Sequence, residues 1–266
     1  MRVRLFQGPL RAGTPAENLE RLAELAAHEE GGLLVCPEMF LTGYAIGRQT
    51  IERLAEPVDG PSARRAQMIA RATGTALLYG YPERAADGSI YNSAILIGRD
   101  GQRLLNYRKC HLFGDLDRGA FEAGEGPSPI VELDGFRLGL LICYDVEFPE
   151  AVRALALAGA ELVVVPTALM QPYDVVARIL VPARAIENQV FLAYANRCGT
   201  EGDLVYCGLS CLVGPDGTDL ARAGRGEEVI GARIGQEMLE RSRPDYTYLA
   251  DRRPDLYRAL VQGERR

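Results

Sequence analysis

The stretch FRLGLLICYDVEFPE, residues 136–150, decides how the fold is read. Its first half is the most apolar strand of the chain, and Cys143 caps it. Upstream lie PIVEL (129–133) and Asp134-Gly135, which predict a hairpin, because an Asp-Gly turn twists in the sense its flanking strands need. Downstream, Pro149 opens a helix through Ala158, Gly159 ends it, and LVVVP (162–166) reads as a buried strand. Hairpin and helical crossover therefore meet around one strand.

The same mixture recurs along the chain. Val3 to Phe6 is a short strand. Thr14 reads as an N-cap, with Pro15 at the first helical position and Glu17 completing a capping box. Leu19, Leu22, Leu25 and Ala26 follow at helical spacing, and Gly31-Gly32 ends that helix. LLVC (33–36) is a buried strand closed by Pro37, and a helix runs from Ser62 to Ala72. ALLYGY (76–81), YNSAILIG (91–98) and RLLNY (103–107) are successive strands, with Asp100-Gly101 as a turn between the last two. A helix around 174–188, the strand FLAYAN (191–196) and a hairpin made by CGLSCLVG with the GPDG turn (214–217) complete the pattern. A doubly wound parallel sheet would repeat βαβ units at regular spacing, and this chain does not. The prediction is a mixed α/β fold with two mixed sheets packed face to face and helices outside. No linker or repeat divides the chain, so residues 1–266 are read as one domain. From about Arg241 the chain has few apolar residues and several tyrosines, which predicts an extended C-terminal tail that needs a partner surface.

The charged residues are lopsided: of 30 basic residues, 29 are arginine and one is lysine, Lys109. Acidic residues number 36, so the net charge is −6. An acidic chain without a basic block argues against a nucleic-acid partner, because phosphate contacts need clustered positive charge. Two histidines, His28 and His111, cannot build a histidine-rich metal cage. The six cysteines form no CxxC pair, no signal region opens the chain, and no apolar run approaches a membrane span. These features predict a cytoplasmic protein with free thiols and no membrane partner. No GxGxxG or phosphate-loop lysine motif occurs, so no dinucleotide or NTP cofactor is inferred.

Three segments share one feature: an apolar strand ends abruptly in a reactive or ionisable residue. These are Glu38 in LLVCPEMFLTGY, Lys109 in LLNYRKCHLFG and Cys143 in FRLGLLICYDVEFPE. Strand ends are where α/β sheets place reacting groups. A cysteine in an apolar strand is more often an inert core residue, but Cys143 adjoins a helix start whose N–H groups would stabilise a thiolate. A lone lysine is ordinarily a surface charge. In a chain that writes surface cations as arginine, Lys109 reads instead as a compact ammonium needed at one place.

Taken together, CPEMFLTGY, YRKCHLFG and LLICYDVEFPE resemble the nitrilase, or carbon–nitrogen hydrolase, superfamily, and within it the branch of small amidases. The resemblance runs from the first strand to DRRPDLY in the tail. It implies a four-layer α-β-β-α sandwich, a Glu38-Lys109-Cys143 catalytic triad, no cofactor and no metal. It also implies homodimers or larger homo-oligomers whose tails cross to the partner. The expected reaction hydrolyses a small carboxamide to acid and ammonia through a thioester on Cys143, with the Tyr144 backbone N–H and Lys109 at the oxyanion. Many family members carry a second glutamate after the lysine. Here the matching position is Asp117, with Asp115, Glu122 and Glu125 as alternatives. Tyr44, Tyr144, Thr167, Ala168 and Tyr173 are expected to wall the pocket, and their small or apolar character suggests a small, uncharged substrate. His111 reads as a loop anchor bonded to a backbone carbonyl, and Asp145 and Glu147 as residues that fix the turn after Cys143. A nitrilase or an N-carbamoyl amide hydrolase of the same superfamily stays open, as does a thiol redox or binding protein without turnover.

Overall fold

The computed structural model describes residues 1–9, 14–29 and 31–260. In chain order the strands are β1 (Arg2–Gln7), β2 (Leu33–Val35), β3 (Ala76–Arg84), β4 (Ile90–Ile97), β5 (Arg103–Arg108), β6 (Val131–Leu133), β7 (Phe136–Leu140), β8 (Leu162–Pro166), β9 (Phe191–Ala195), β10 (Thr200–Glu201), β11 (Leu204–Val205), β12 (Cys211–Val213), β13 (Asp219–Arg222) and β14 (Glu228–Arg233). The helices are α1 (Pro15–Ala27), α2 (Arg48–Leu54), α3 (Pro61–Thr73), α4 (Gly114–Arg118), α5 (Pro149–Leu157), α6 (Val181–Asn188) and α7 (Gln236–Asp245).

Two six-stranded sheets form, in the orders β14-β1-β2-β3-β4-β5 and β13-β12-β9-β8-β7-β6. Each has three parallel strands at its centre, β1-β2-β3 in one and β7-β8-β9 in the other, with antiparallel neighbours outside. This is the mixed two-sheet sandwich expected. Both faces of the first sheet are covered, so its central strands are apolar on both sides. Leu33, Val35, Leu78 and Leu96 join one cluster with Leu138, Leu140 and Val164 of the second sheet. Leu34, Leu77, Ile95 and Ile97 turn the other way, onto Leu22 and Leu25 of α1 and Ala66 and Ile69 of α3. Val152 and Leu155 of α5, with Val181 and Ala185 of α6, extend the first cluster over the second sheet. Each such Leu, Ile or Val side chain contributes about 1.5–3 kcal/mol by leaving water.

The Thr14 capping box is present: Glu17 N–H donates to Thr14 Oγ1, and Thr14 N–H donates to Glu17 Oε2 at 2.6 Å. Asp134 and Gly135 both have positive φ, 51° and 77°, as a tight hairpin between β6 and β7 requires. The helix expected around 174–188 is present, with a wide π-turn, Val176–Leu180, set into it before α6. Pro182 stands at the start of α6 and cannot donate to the carbonyl four residues back, so the turn before it opens. One expectation is corrected: the extended tail expected from about Arg241 is helical to Asp245 in α7, followed by short 3₁₀ turns at Pro254–Leu256 and Arg258–Leu260. Residues 261–266 of that segment lie outside the described residues.

The sandwich brings the site together by strand direction. β2, β3 and β5 all point the same way, since β4 is antiparallel to both β3 and β5. Glu38 follows β2, Lys109 follows β5, Cys143 follows β7 and Thr167 follows β8.

Candidate active site

Glu38 sits in a loop pressed against β3. Leu41 N–H donates to Gly80 O at 3.1 Å, and Gly80 N–H donates to Pro37 O at 3.3 Å. A Cβ on Gly80 would lie 2.3 Å from Met39 N and 2.9 Å from Glu38 Cα, so only glycine permits this approach. Buried Arg197, just beyond β9, holds the loop from the other side through Nε to Glu38 O at 3.0 Å and a short bond to Met39 O. The carboxylate is fully buried. Its Oε1 accepts from Lys109 Nζ and from Asn92 Nδ2, each at 2.7 Å, while Oε2 has no partner among the described residues.

Lys109 Nζ also lies 2.7 Å from Asp117 Oδ2. Asp117 stands on α4, accepts Phe113 N–H at 2.9 Å on the same oxygen, and accepts Tyr44 Oη–H at 2.9 Å on Oδ1. Among the four carboxylates weighed for this position, Asp117 is buried against Lys109, whereas Asp115, Glu122 and Glu125 are exposed. Burial alone would lower the Lys109 pKa, but the charge of Glu38, with Tyr44 and Asp117, holds it well above its ordinary value. Burial raises Glu38 above the usual carboxylate range, with Asp117 adding to the rise and Lys109 and Asn92 opposing it.

Cys143 opens a 3₁₀ turn, Cys143–Glu147, with φ of +46°, a left-handed conformation uncommon for a side chain this size. Asp145 holds that geometry. Its Oδ2 accepts Ile142 N–H at 3.0 Å and Tyr107 Oη–H at 2.9 Å, and its Oδ1 accepts His111 N–H at 2.8 Å. His111 Nδ1 lies 2.7 Å from the same oxygen, and its ring stacks on Phe148 at 4.0 Å. The partner of His111 is therefore a carboxylate, not the backbone carbonyl expected, and it ties the lysine loop to the cysteine turn. The expected thiolate-stabilising helix start is also corrected. Burial pushes the Cys143 thiol up, the Glu38 charge pushes it further, and Lys109 with bonds from Thr167 and the Ala168 backbone only partly offsets this. A thiol pushed up in this way calls for a base to take its proton.

A cavity of about 200 Å³ opens beside Cys143, walled by Tyr44, Phe113, Tyr144, Leu169, Met170 and Tyr173, with Glu147 also lining it. Thr167 and Ala168 lie buried behind the sulfur, and Thr167 Oγ1 donates to Tyr194 Oη at 3.1 Å. Glu147 was expected to brace the turn. Its side chain instead faces the cavity, and Asp145 does the bracing. Among the described residues no group of three His, Cys, Asp or Glu side chains is placed to hold a metal ion.

The family model for carbon-nitrogen hydrolases matches residues 2–244. The chain belongs to the carbon–nitrogen hydrolase family. This hydrolase is 56% identical over 258 residues to a Pseudomonas protegens protein named "Hydrolase in pqqF 5'region", covering 97% of this chain and 90% of the other. It is 40% identical over 256 residues to an (R)-stereoselective amidase of Pseudomonas sp., covering 95% and 92%. It superposes on solved structures of the amidase from Nesterenkonia sp. AN1 with a TM-score of 0.83 at 36% identity, over 98% of this chain and 97% of that one. One of those structures carries the acetamide moiety of fluoroacetamide on the active-site cysteine, and another is a complex with butyramide.

Several supporting residues of this hydrolase carry little signal in the sequence. Asn92 and Gly80 lie inside strands and look like ordinary pattern breaks. Arg197 is one arginine among many. Glu201, in the short β10–β11 hairpin, resembles a solvated turn, yet it is buried and accepts Tyr44 N–H at 2.8 Å, Ala45 N–H at 3.0 Å and the Tyr206 hydroxyl.

Proposed function

We infer that this hydrolase is an amidase that converts a small carboxamide to carboxylic acid and ammonia, with Glu38, Lys109 and Cys143 as its catalytic residues. The observation that carries the reading is the closed Glu38–Lys109–Asp117 cluster, buried next to Cys143, with Glu38 Oε2 unpaired among the described residues. A raised carboxyl is a better base than an ordinary one, and the thiol needs one. Glu38 takes the Cys143 proton as the sulfur attacks the amide carbon, breaking the C=O π-bond onto oxygen. Lys109 and the Tyr144 backbone N–H hold that oxyanion, a contribution of about 3–4 kcal/mol for a single donor in related sites. The tetrahedral species collapses to a thioester as the C–N bond breaks, and Glu38 gives its proton to the departing nitrogen, which leaves as ammonia. Glu38 then takes a proton from water, whose oxygen attacks the thioester carbon. The second tetrahedral species collapses as its C–S bond breaks, Glu38 returns the proton to the departing sulfur, and the acid and the free thiol are the products. Asp117 and Tyr44 position Lys109.

Amidase-named relatives and the amide-bearing Nesterenkonia structures support an amide over a nitrile or an N-carbamoyl substrate. Ammonia release from matched amides, nitriles and N-carbamoyl acids tests this. Amides are expected to turn over fastest, and a nitrile turned over as fast or faster contradicts the reading. The six cysteines are all free thiols. No helix among the described residues is long and apolar enough to cross a membrane. A cytoplasmic setting fits the free thiols. Assembly as a homodimer or larger homo-oligomer fits the exposed Leu157, Ile179 and Leu256.

A further inference from the structure

We propose that Glu147 and the aromatic rings around it form a cation subsite, so that the preferred amides carry an ammonium group on a short acyl chain. The proposal rests on the amidase reading above and names its substrate class. Among the residues lining the cavity beside Cys143, Glu147 carries the only ordinary charge. Among the described residues its carboxylate has no hydrogen-bond or ion-pair partner. The two cations whose charge reaches it are committed elsewhere. Lys109 is held by Glu38 and Asp117, and Arg184 donates to Val146 O at 3.2 Å, to the Glu147 backbone carbonyl at 3.0 Å and to Glu187 Oε1 at 3.0 Å. Burial raises the Glu147 carboxyl above its ordinary value, as befits a partly desolvated charge with no counter-charge.

The rest of the wall suits a cation. Tyr44, Phe113, Tyr144 and Tyr173 line the same cavity. Phe113 meets Tyr144 edge-on at 5.3 Å and Tyr173 edge-on at 5.9 Å, so the rings hold one another in place. Aromatic faces attract ammonium groups, and more strongly where water is excluded. An acyl group bearing a carboxylate would face Glu147 with no cation on the cavity wall to offset it. Cys143 and Glu147 begin and end the same 3₁₀ turn. At a rise of about 2 Å per residue their backbones are roughly 8 Å apart, so a chain of a few carbons leaving the sulfur reaches the carboxylate. The uncharged substrate expected from the sequence is thus replaced by a cationic one, because Glu147 faces the cavity and does not brace the turn.

The test compares kcat/KM for pentanamide, for its ammonium isostere 4-aminobutanamide and for succinamate. The wild type is expected to favour 4-aminobutanamide over pentanamide by about tenfold or more, with succinamate slowest. Glu147→Gln is expected to bring the first two within about twofold, and Glu147→Lys to favour succinamate over 4-aminobutanamide. Because each ratio is taken within one protein sample, partial misfolding of a variant cancels. Pentanamide turned over as well as 4-aminobutanamide by the wild type, or a ratio that Glu147→Gln does not move, overturns the subsite and leaves the amidase intact. Failure to release ammonia from any amide in any assay overturns the amidase reading itself, and the subsite with it.

Discussion

At the residue scale, Lys109 bridges two buried carboxylates at 2.7 Å each, with none of the three side chains exposed. A guanidinium keeps the charge but is broader and planar, and no space in this cluster receives it. Lys109→Arg is therefore expected to lose activity by about a hundredfold or more, measured as kcat/KM for a small amide. Full activity would return the lone lysine to chance. Asn92 makes a second prediction, with a defined sign. Its hydrogen bond stabilises the charged form of Glu38 and so lowers a pKa that burial has raised. Asn92→Ala removes that bond and raises the pKa further. Ionised Glu38 is then lost at a higher pH, and the acid limb of the kcat/KM profile should move upward by about one pH unit. An unmoved limb means that Glu38 is not the base. The three residues proposed as catalytic were picked out because each follows an apolar strand end, and the lysine stands alone in an otherwise arginine-rich chain. Asn92 was not, because one polar residue within YNSAILIG reads as normal strand alternation. Glu147 was legible as a residue but not in its role, since spacing alone does not say which way a 3₁₀ turn points a side chain.

At the element scale, the site depends on how closely loops approach strands. The Glu38 loop lies on β3 at Gly80, where an added Cβ would meet backbone atoms of Met39 and Glu38. Gly80→Ala must push that loop away. The expected cost is about 1–3 kcal/mol of stability, read as a lower urea midpoint with unchanged slope, together with a fall in kcat as Glu38 moves. A variant with wild-type midpoint and kcat would show that the close approach is dispensable. Most strands and the helices α1, α3, α5 and α6 were legible from periodicity, caps and Asp-Gly turns, whereas the edge strand β14 and the short β10–β11 hairpin were not read. The five-residue α4, which carries Asp117, was not, because GDLDR is too short to show helical periodicity and contains glycine. Residues from Arg241 read as extended for a similar reason. α7 buries only Leu239 and Ser242, so its apolar pattern is faint.

At the scale of the whole molecule, the proposed active site lies on the seam between two sheets, with Glu38 and Lys109 from one and Cys143 and Thr167 from the other. Its geometry therefore depends on the packing of the entire sandwich. The mixed architecture was legible because hairpins and a helical crossover surround the same strand. What covers the exposed apolar residues was not legible, since an amphipathic surface does not name its partner. A groove of about 770 Å³ runs between α5, α6 and the C-terminal turns, lined by Ile186, Tyr248 and Tyr257. Sedimentation is expected to give a mass that is a multiple of the 29.0 kDa chain. A monomer at micromolar concentration would contradict the assembly proposed. The central claim is that the amide is opened through an acyl group on one particular sulfur. Its most direct test is mass spectrometry of protein acid-quenched during turnover of a small amide, with peptide-level assignment. The expected result is a mass gain equal to the acyl group less one hydrogen, located on Cys143 and on none of the other five cysteines. Ammonia release by a Cys143→Ala protein at the wild-type rate, or an acyl group found on a different cysteine, would contradict it.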